Sequence, residues 1–247
     1  MWDDAKALTA LAATLATMAA LALLASCAYW LVRQPVFAIR EIVVTMPLAR
    51  ASAPHLETVL RDELKGTFFT MRLDEAREAI GRVAWVRSVA LRRHWPPRLE
   101  VAIEEHVPLA HHSEGVLVNT FGETFAARYE GALPRFAGAQ ARAAEMTARY
   151  REWTALVAPL ALEVTDLAVS ARGGWRVRAM GAEGPLTLEL GRDDPSARLQ
   201  RFTAAYARTV AALSRQGMRI EHVDLRYRNG FAARLPGFRE AAKKPGT

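Results

Sequence analysis

The longest apolar run in the chain lies at its N-terminus. Residues 7–32 (ALTALAATLATMAALALLASCAYWLV) contain no charged residue. As a helix, this run extends about 39 Å, which exceeds the roughly 30 Å hydrocarbon core of a bilayer. The pattern therefore predicts a transmembrane helix at 7–32, preceded by a short tail at 1–6.

Two other interpretations of this run are a cleaved signal peptide and a lipoprotein signal. A cleaved signal peptide has a basic start and a shorter apolar run. The stretch Leu24–Cys27 (LASC) resembles a lipobox, in which the cysteine is lipidated and becomes the new N-terminus. However, the apolar run continues past the cysteine, and Tyr29 and Trp30 suit the aromatic belt at a membrane interface. We favour an uncleaved span, whose orientation the few flanking basic residues do not decide.

Residues 36–107 alternate between strand and helix periodicity. The predicted order is β-α-α-β-β, with strands at 36–45, 85–93 and 99–105 and helices at 53–64 and 73–82. Phe68 and Phe69 stand in the connector between the two helices and are predicted to fill the core. We expect one domain here, because a sheet and two amphipathic helices can bury their apolar faces against each other.

Residues 108–236 begin with short strand patterns and contain two further helices. Strands are predicted at 109–112, 116–119, 124–127, 161–171, 174–181 and 185–190, with helices at 139–157 and 195–213. The second helix has an apolar stripe, predicted to be core, at Leu199, Phe202, Tyr206, Val210 and Leu213. The whole chain is thus predicted to be α+β, with a mainly antiparallel sheet in this second, mixed domain.

A final hairpin is predicted at residues 221–235. Apolar and polar residues alternate on both sides of Asn229-Gly230, a pair typical of two-residue type I′ turns. The returning strand is short and is followed by a polar tail, predicted to be flexible, at 237–247. Such a strand is expected at the edge of a sheet, where its unpaired backbone groups can bind another chain.

Composition and motifs favour a protein without catalytic chemistry. The 33 Lys and Arg exceed the 26 Asp and Glu by seven, but the charges are interleaved, so no nucleic-acid binding is predicted. Cys27, the single cysteine, lies in the apolar run. His111 and His112 are adjacent on a predicted strand and are expected to point to opposite faces. No nucleotide-binding, hydrolase or metal motif is present. We therefore predict no enzyme activity, no cofactor, no metal and no small-molecule substrate.

Several stretches carry a resemblance to a known family. The first region resembles a POTRA domain of the bacterial FtsQ/DivIB cell division family through Trp85-Val86, Arg92–Pro96 and Leu99–Glu105. The stretch Val223–Gly230 (VDLRYRNG) resembles the C-terminal signature of the same family. Two connectors depart from the family pattern, at Met46-Pro47 and at Ala84, and they affect loop geometry more than the fold.

The resemblance implies a function and a set of site residues. It implies a bitopic inner-membrane scaffold of the divisome at the septum, with a cytoplasmic N-terminus and periplasmic domains. Its last strand would receive FtsB, together with FtsL, and it would help to control septal peptidoglycan synthesis. The partner-binding residues implied by position are Arg172, Arg226, Tyr227, Asn229, Gly230, Phe231 and Ala233.

The sequence also allows two rival functions. A POTRA-bearing translocation or chaperone protein of the envelope would carry repeated POTRA units or a C-terminal barrel, whereas this chain shows one unit. A periplasmic hydrolase would need a cleft with perturbed carboxylates. The carboxylates at Glu100 and Glu104 alternate onto a wet strand face, so they favour solvation over catalysis.

Overall fold

The computed structural model describes residues 5–45, 48–215, 220–227 and 230–234. The chain divides into two compact units, Met1–Glu105 and His106–Thr247. Each unit has its own hydrophobic core.

The first unit begins with helix α1, Ala5–Val32. Within the described part of the chain, it is the one helix long and apolar enough to cross a membrane. Its side chains from Leu8 onward are almost all exposed. Because a helix that is apolar on every face needs apolar surroundings, lipid is the natural environment for α1. The predicted N-terminal apolar helix is confirmed.

The rest of the first unit is a three-stranded sheet covered by two helices. Its elements are β1 (Glu41–Val44), α2 (Ala53–Glu63), α3 (Leu73–Gly81), β2 (Val86–His94) and β3 (Arg98–Glu105). The sheet order is β1-β3-β2, with β1 parallel and β2 antiparallel to β3. Alternate residues of β3 point to the helices, and the core comprises Leu99, Val101 and Ile103 with Leu56, Leu60, Ala76 and Ile80. The predicted β-α-α-β-β order is confirmed.

Two details of this unit differ from the sequence prediction. The strand predicted at 36–45 is shorter, because Pro35–Phe37 forms a 3₁₀ turn before β1. Phe69 was expected to fill the core, but 51% of it is exposed. Its connector is held near the end of α1 instead, because the Thr67 hydroxyl donates to the Val32 carbonyl at 2.7 Å and the Phe68 N–H donates to the Phe37 carbonyl at 2.8 Å.

Glu105, the last inward-facing residue of β3, binds the backbone of the segment that leads into α2. Its carboxylate accepts backbone N–H groups from Ala49, Arg50 and Ala51 at 2.7–3.1 Å. Burial acts to raise the pKa of Glu105, but these three backbone donors outweigh it and lower the pKa below its ordinary value. The charged carboxylate therefore fixes the chain that enters α2.

The second unit is a nine-stranded mixed sheet with helices on one face. Its elements are β4 (Pro108–Ser113), β5 (Val116–Asn119), β6 (Thr124–Ala126), β7 (Arg135–Ala137), α4 (Ala143–Val157), β8 (Glu163–Val169), β9 (Trp175–Gly181), β10 (Gly184–Gly191), α5 (Pro195–Tyr206), α6 (Val210–Arg215), β11 (His222–Asp224) and β12 (Ala232–Arg234). The strand order is β12-β11-β10-β9-β8-β7-β4-β5-β6. Most neighbouring pairs are antiparallel, which confirms the predicted fold class.

One face of this sheet packs against α4 and α5. The buried face of β9 presents Trp175, Val177 and Ala179, and the indole of Trp153 on α4 packs edge-on against Trp175 with ring centres 5.3 Å apart. The Trp153 indole N–H donates to the Ser196 hydroxyl at 2.9 Å, which joins α4 to α5. The opposite face carries charged residues at alternate positions, so the sheet has one dry and one wet face.

The helix predicted at 195–213 is divided into α5 and α6. The chain turns after Tyr206, yet the apolar stripe persists, since Leu199, Phe202 and Val210 are buried. Tyr206 is partly buried against the same core, and burial raises the pKa of its hydroxyl. The core prediction is confirmed for the first four stripe residues, and the side chain of Leu213 lies outside the described residues.

Candidate partner-binding edge

The last two strands extend the second sheet to its edge. β11 pairs in parallel with β10, with Leu188 opposite Val223. β12 then pairs antiparallel with β11, with Ala233 opposite Val223. Among the described strands, none lies beyond β12, and all three of its residues are exposed.

The hydrogen bonds of β11 reveal which backbone groups of β12 point outward. The Glu221 carbonyl accepts from the Thr187 N–H, and the Leu225 N–H donates to the Glu189 carbonyl, both at 2.9 Å. Residues 221, 223 and 225 therefore face β10, and His222 and Asp224 face β12, because both backbone groups of a strand residue point to one side. The partners of His222 and Asp224 are Arg234 and Ala232. By alternation, the N–H and C=O of Phe231 and Ala233 point away from the sheet.

The connection between β11 and β12 is longer than predicted. A two-residue turn at Asn229-Gly230 would place Tyr227 opposite Ala232, but the structure pairs Asp224 with Ala232. The two-residue register is therefore wrong. Asn229 itself lies outside the described residues, whereas Gly230 is described and exposed.

A side-chain contact explains why β11 ends early. The Asp224 carboxylate accepts the backbone N–H of Arg226 at 3.0 Å and the Arg226 guanidinium at 2.6–3.1 Å. An aspartate that binds the backbone two residues ahead makes an Asx turn, which turns the chain out of the ladder. Asp224 and Arg226 thus fix the start of the loop that carries Tyr227.

This contact predicts a pH dependence. The hydrogen bond from Arg226 lowers the pKa of Asp224, more than burial raises it. A carboxyl whose folded pKa is depressed stabilises the fold above its unfolded pKa and loses that effect as the pH falls through the folded value. We expect Asp224→Asn to lower the melting temperature equally from pH 7 to about pH 5, and the difference from the parent to shrink below about pH 4. Melting curves of both proteins across this range provide the test, and a difference that is constant down to pH 2 would contradict it.

The two aromatic residues of the loop have opposite surroundings. Tyr227 is 58% exposed. Phe231 is partly buried against the core, with its ring centre 5.9 Å from that of Phe202. Phe231 therefore anchors β12 with its side chain while its backbone faces outward, and Tyr227 offers an aromatic ring to solvent.

Arg172 occupies the turn between β8 and β9 and is exposed. Ser170 and Gly174, on either side of it, line a cavity of about 470 Å³ that is also lined by Arg226. The structure thus brings the turn of Arg172 close to one of the hairpin residues. Phe231, which precedes β12, and Ala233, which lies within it, do not line this cavity.

Comparison with known proteins assigns both units. Residues 37–106 match the family model described as POTRA domain, FtsQ-type, and residues 109–226 match the model described as cell division protein FtsQ/DivIB, C-terminal. The chain is 36% identical to the cell division protein FtsQ of Nitrosospira multiformis over 239 residues, which covers 95% of this chain and 99% of that protein. The corresponding protein of Burkholderia pseudomallei is 37% identical over 97% of this chain and 96% of its own length. This chain belongs to the FtsQ/DivIB family.

The two matched regions fit the observed units closely. The FtsQ-type POTRA match spans the three-stranded sheet, and the FtsQ/DivIB C-terminal match runs from β4 to just beyond β11. The POTRA and FtsQ resemblance inferred from sequence is confirmed.

Two adjacent histidines of this FtsQ/DivIB chain, His111 and His112, lie at an irregular part of β4. A β-bulge between His111 and Ser113 interrupts the alternation of β4, and both His111 and His112 line one cavity of about 520 Å³. Their placement on opposite faces stays a prediction. Within residues 5–45, 48–215, 220–227 and 230–234, no three His, Cys, Asp or Glu residues are grouped to hold a metal ion.

Sequence reasoning missed Asp224 as a site residue. The signal was present, because an aspartate beside a turn can bind the backbone N–H two residues ahead, where this chain has the oppositely charged Arg226. Opposite charges at this spacing predict an ion pair, and next to a turn they also predict an Asx turn.

Proposed function

We propose that this chain is a non-enzymatic scaffold of the bacterial division machinery, which binds FtsB, together with FtsL, by strand addition to β12. Family membership supports the division role. The observation that carries the binding mode is the edge of β12: no other described strand pairs with its outer side, and by alternation the backbone groups of Phe231 and Ala233 point outward.

The edge suits an added strand both in its backbone and in its side chains. Main-chain bonds supply affinity in strand addition, and alternate side chains supply specificity. Ala232 and Ala233 are small, so a second backbone can approach closely. The ring of Phe231 packs against Phe202 in the core. Because this contact orders β12 before the partner binds, less conformational entropy is lost on binding.

Side chains near the edge define the partner further. Tyr227 presents an exposed ring, Arg226 lines the cavity while its guanidinium is paired with Asp224, and the exposed Arg172 adds positive charge in the turn whose Ser170 and Gly174 line the same cavity. A partner with an acidic segment next to the added strand would fit this arrangement. Gly230 lies in the same loop, and we propose that it contacts FtsB together with Asn229, its neighbour in sequence.

The proposal also includes a place in the cell. α1 would span the inner membrane with residues 1–6 in the cytoplasm, and the POTRA unit and the second unit would lie in the periplasm at the septum. There the bound FtsB and FtsL would couple this scaffold to the control of septal peptidoglycan synthesis. A fluorescent fusion should form a midcell band in dividing cells, and a diffuse envelope signal would contradict the septal placement.

Replacing Tyr227 with alanine tests the binding role of the loop. Because exposed aromatic residues at interfaces often dominate affinity, we expect Tyr227→Ala to weaken binding of the FtsB periplasmic segment by about 10-fold. Tyr227→Phe keeps the ring and should retain most of the affinity. Titration calorimetry with the purified full chain measures both, and equal affinities for Tyr227→Ala and the parent would remove this loop from the interface.

A further inference from the structure

The first unit carries an aromatic cluster that is separate from the edge of β12. The cluster comprises Phe37, Phe68, Phe69 and Trp95, whose rings meet edge to face with centres 5.2–5.9 Å apart. Two of its members face solvent, since Phe69 is 51% and Trp95 is 67% exposed. Large aromatic side chains left uncovered side by side indicate a surface that binds something apolar.

Hydrogen bonds place this cluster at the end of the membrane-spanning helix. The Thr67 hydroxyl donates to the carbonyl of Val32, the last residue of α1, at 2.7 Å. The neighbouring Phe68 N–H binds the Phe37 carbonyl, and Ala38 forms a bridge with Thr67. The connector 65–72 is therefore attached to the point where the chain leaves α1.

The turn that carries Trp95 is attached to the same place. The Arg93 guanidinium donates to the Met71 carbonyl at 2.5 Å, and the Arg40 N–H donates to the Pro97 carbonyl at 3.1 Å. Three segments, 33–40, 65–72 and 92–98, thus meet beside the end of α1. Tyr29 and Trp30, whose position suits the aromatic belt at a membrane interface, precede Val32 by only about 3–5 Å of helical rise.

The charges of the three segments have one sign. They contain seven Lys and Arg residues and one His, and they contain no Asp or Glu. Neighbouring elements supply carboxylates to three of these groups, since Glu41 binds Arg98, Glu75 binds Arg72 and Glu100 binds His94. Arg33, Arg40 and Lys65 are exposed, and the Arg33 guanidinium lies 4.1 Å from the ring centre of Tyr29.

We propose that this surface binds the anionic lipid interface next to α1, with Phe69 and Trp95 inserted at headgroup depth. Aromatic rings prefer this depth, and Lys and Arg beside them attract anionic lipid headgroups. The bilayer is the occupant that the structure favours, because the hydrogen bond to Val32 holds the cluster at the level where a spanning helix leaves the membrane. The POTRA unit would then be held against the lipid surface by two contacts, the helix itself and this aromatic surface.

Depth-dependent fluorescence quenching tests the proposal. The full chain is reconstituted in vesicles of phosphatidylethanolamine and phosphatidylglycerol, and the Trp95 signal is obtained as the difference between the parent and Trp95→Phe. Lipids brominated near the top of the acyl chain should quench about half or more of that signal, while aqueous iodide should quench little of it. The difference signal for Trp175→Phe, a tryptophan buried in the second unit, is the control and should respond to neither quencher.

The opposite pattern would overturn the proposal. If iodide quenches the Trp95 signal and brominated lipid does not, the ring faces water in a bilayer that contains no other protein. Since Trp95 is mostly exposed, Trp95→Phe should keep the parent circular dichroism spectrum, so the difference signal reports one residue in an intact fold.

Discussion

Ala233→Pro is expected to abolish strand addition at β12 while the sheet keeps its fold. The Ala233 N–H points away from β11, so proline removes no hydrogen bond within this sheet. Proline is tolerated on an edge strand when its nitrogen faces outward, but it cannot donate to an added strand and its ring blocks close approach. We expect affinity for the FtsB periplasmic segment to fall by about 100-fold or more.

A matched substitution separates the backbone from the side chain. Ala233→Val keeps the N–H and favours the extended conformation, so it should bind with affinity within a few-fold of the parent. Ala232→Pro provides the structural contrast, because the Ala232 N–H faces β11 and its loss should unpair β12. Calorimetric titration of the three variants provides the test, and undiminished binding by Ala233→Pro would exclude bonding through this edge.

Phe202→Ala is expected to have the largest effect on stability. Phe202 is fully buried on α5, with its ring 5.7 Å from Tyr206 and 5.9 Å from Phe231. Removing a buried phenyl ring leaves a cavity and costs roughly 3–5 kcal/mol. Because Phe231 also loses its contact, amide exchange in β12 should accelerate more than exchange in β9.

Native-state hydrogen exchange in increasing urea measures both effects in the full chain. In Phe202→Leu the leucine side chain fills most of the space, so the free energy of unfolding should fall by less than about 2 kcal/mol. If the free energy of unfolding of Phe202→Ala falls by less than about 1 kcal/mol, the conclusion that this ring is central to the core is contradicted. Equal acceleration in β9 and β12 would show that Phe202 does not hold the terminal strand in particular.

Periodicity predicted the parts of the fold that depend on burial. The alternation in β3 and the apolar stripe from Leu199 to Val210 both arise because one face of the element is buried and the other faces solvent. The structure confirms both patterns. The break between α5 and α6 was missed, because the stripe continues across it.

The register of the last hairpin could not be predicted from turn propensity alone. Asn229-Gly230 favours a two-residue turn, but Asp224 binds both the backbone and the side chain of Arg226, which ends β11 before that turn. The prediction that Phe69 fills the core was wrong for a different reason. Its hydrophobicity indicates an apolar environment, and the sequence does not distinguish a protein core from a surface beside α1.

The candidate site was predictable only in part. The edge position of the last strand followed from its short length and its place near the chain end. The outward direction of the Phe231 and Ala233 backbone groups did not, because it depends on how β11 pairs with β10. Nor could the approach of the Arg172 turn to Arg226 be inferred, because β10 separates β8 and β9 from β11 in the sheet.

Amide exchange at Ala233 tests the strand-addition proposal most directly. The full chain is exposed to deuterated buffer with and without a saturating amount of the FtsB periplasmic segment, and exchange is followed at single-residue resolution. Strand addition predicts that the Ala233 N–H exchanges about 100-fold more slowly, or slower still, in the complex, because it gains a hydrogen bond. Binding of the segment with an unchanged exchange rate at Ala233 would contradict strand addition at β12.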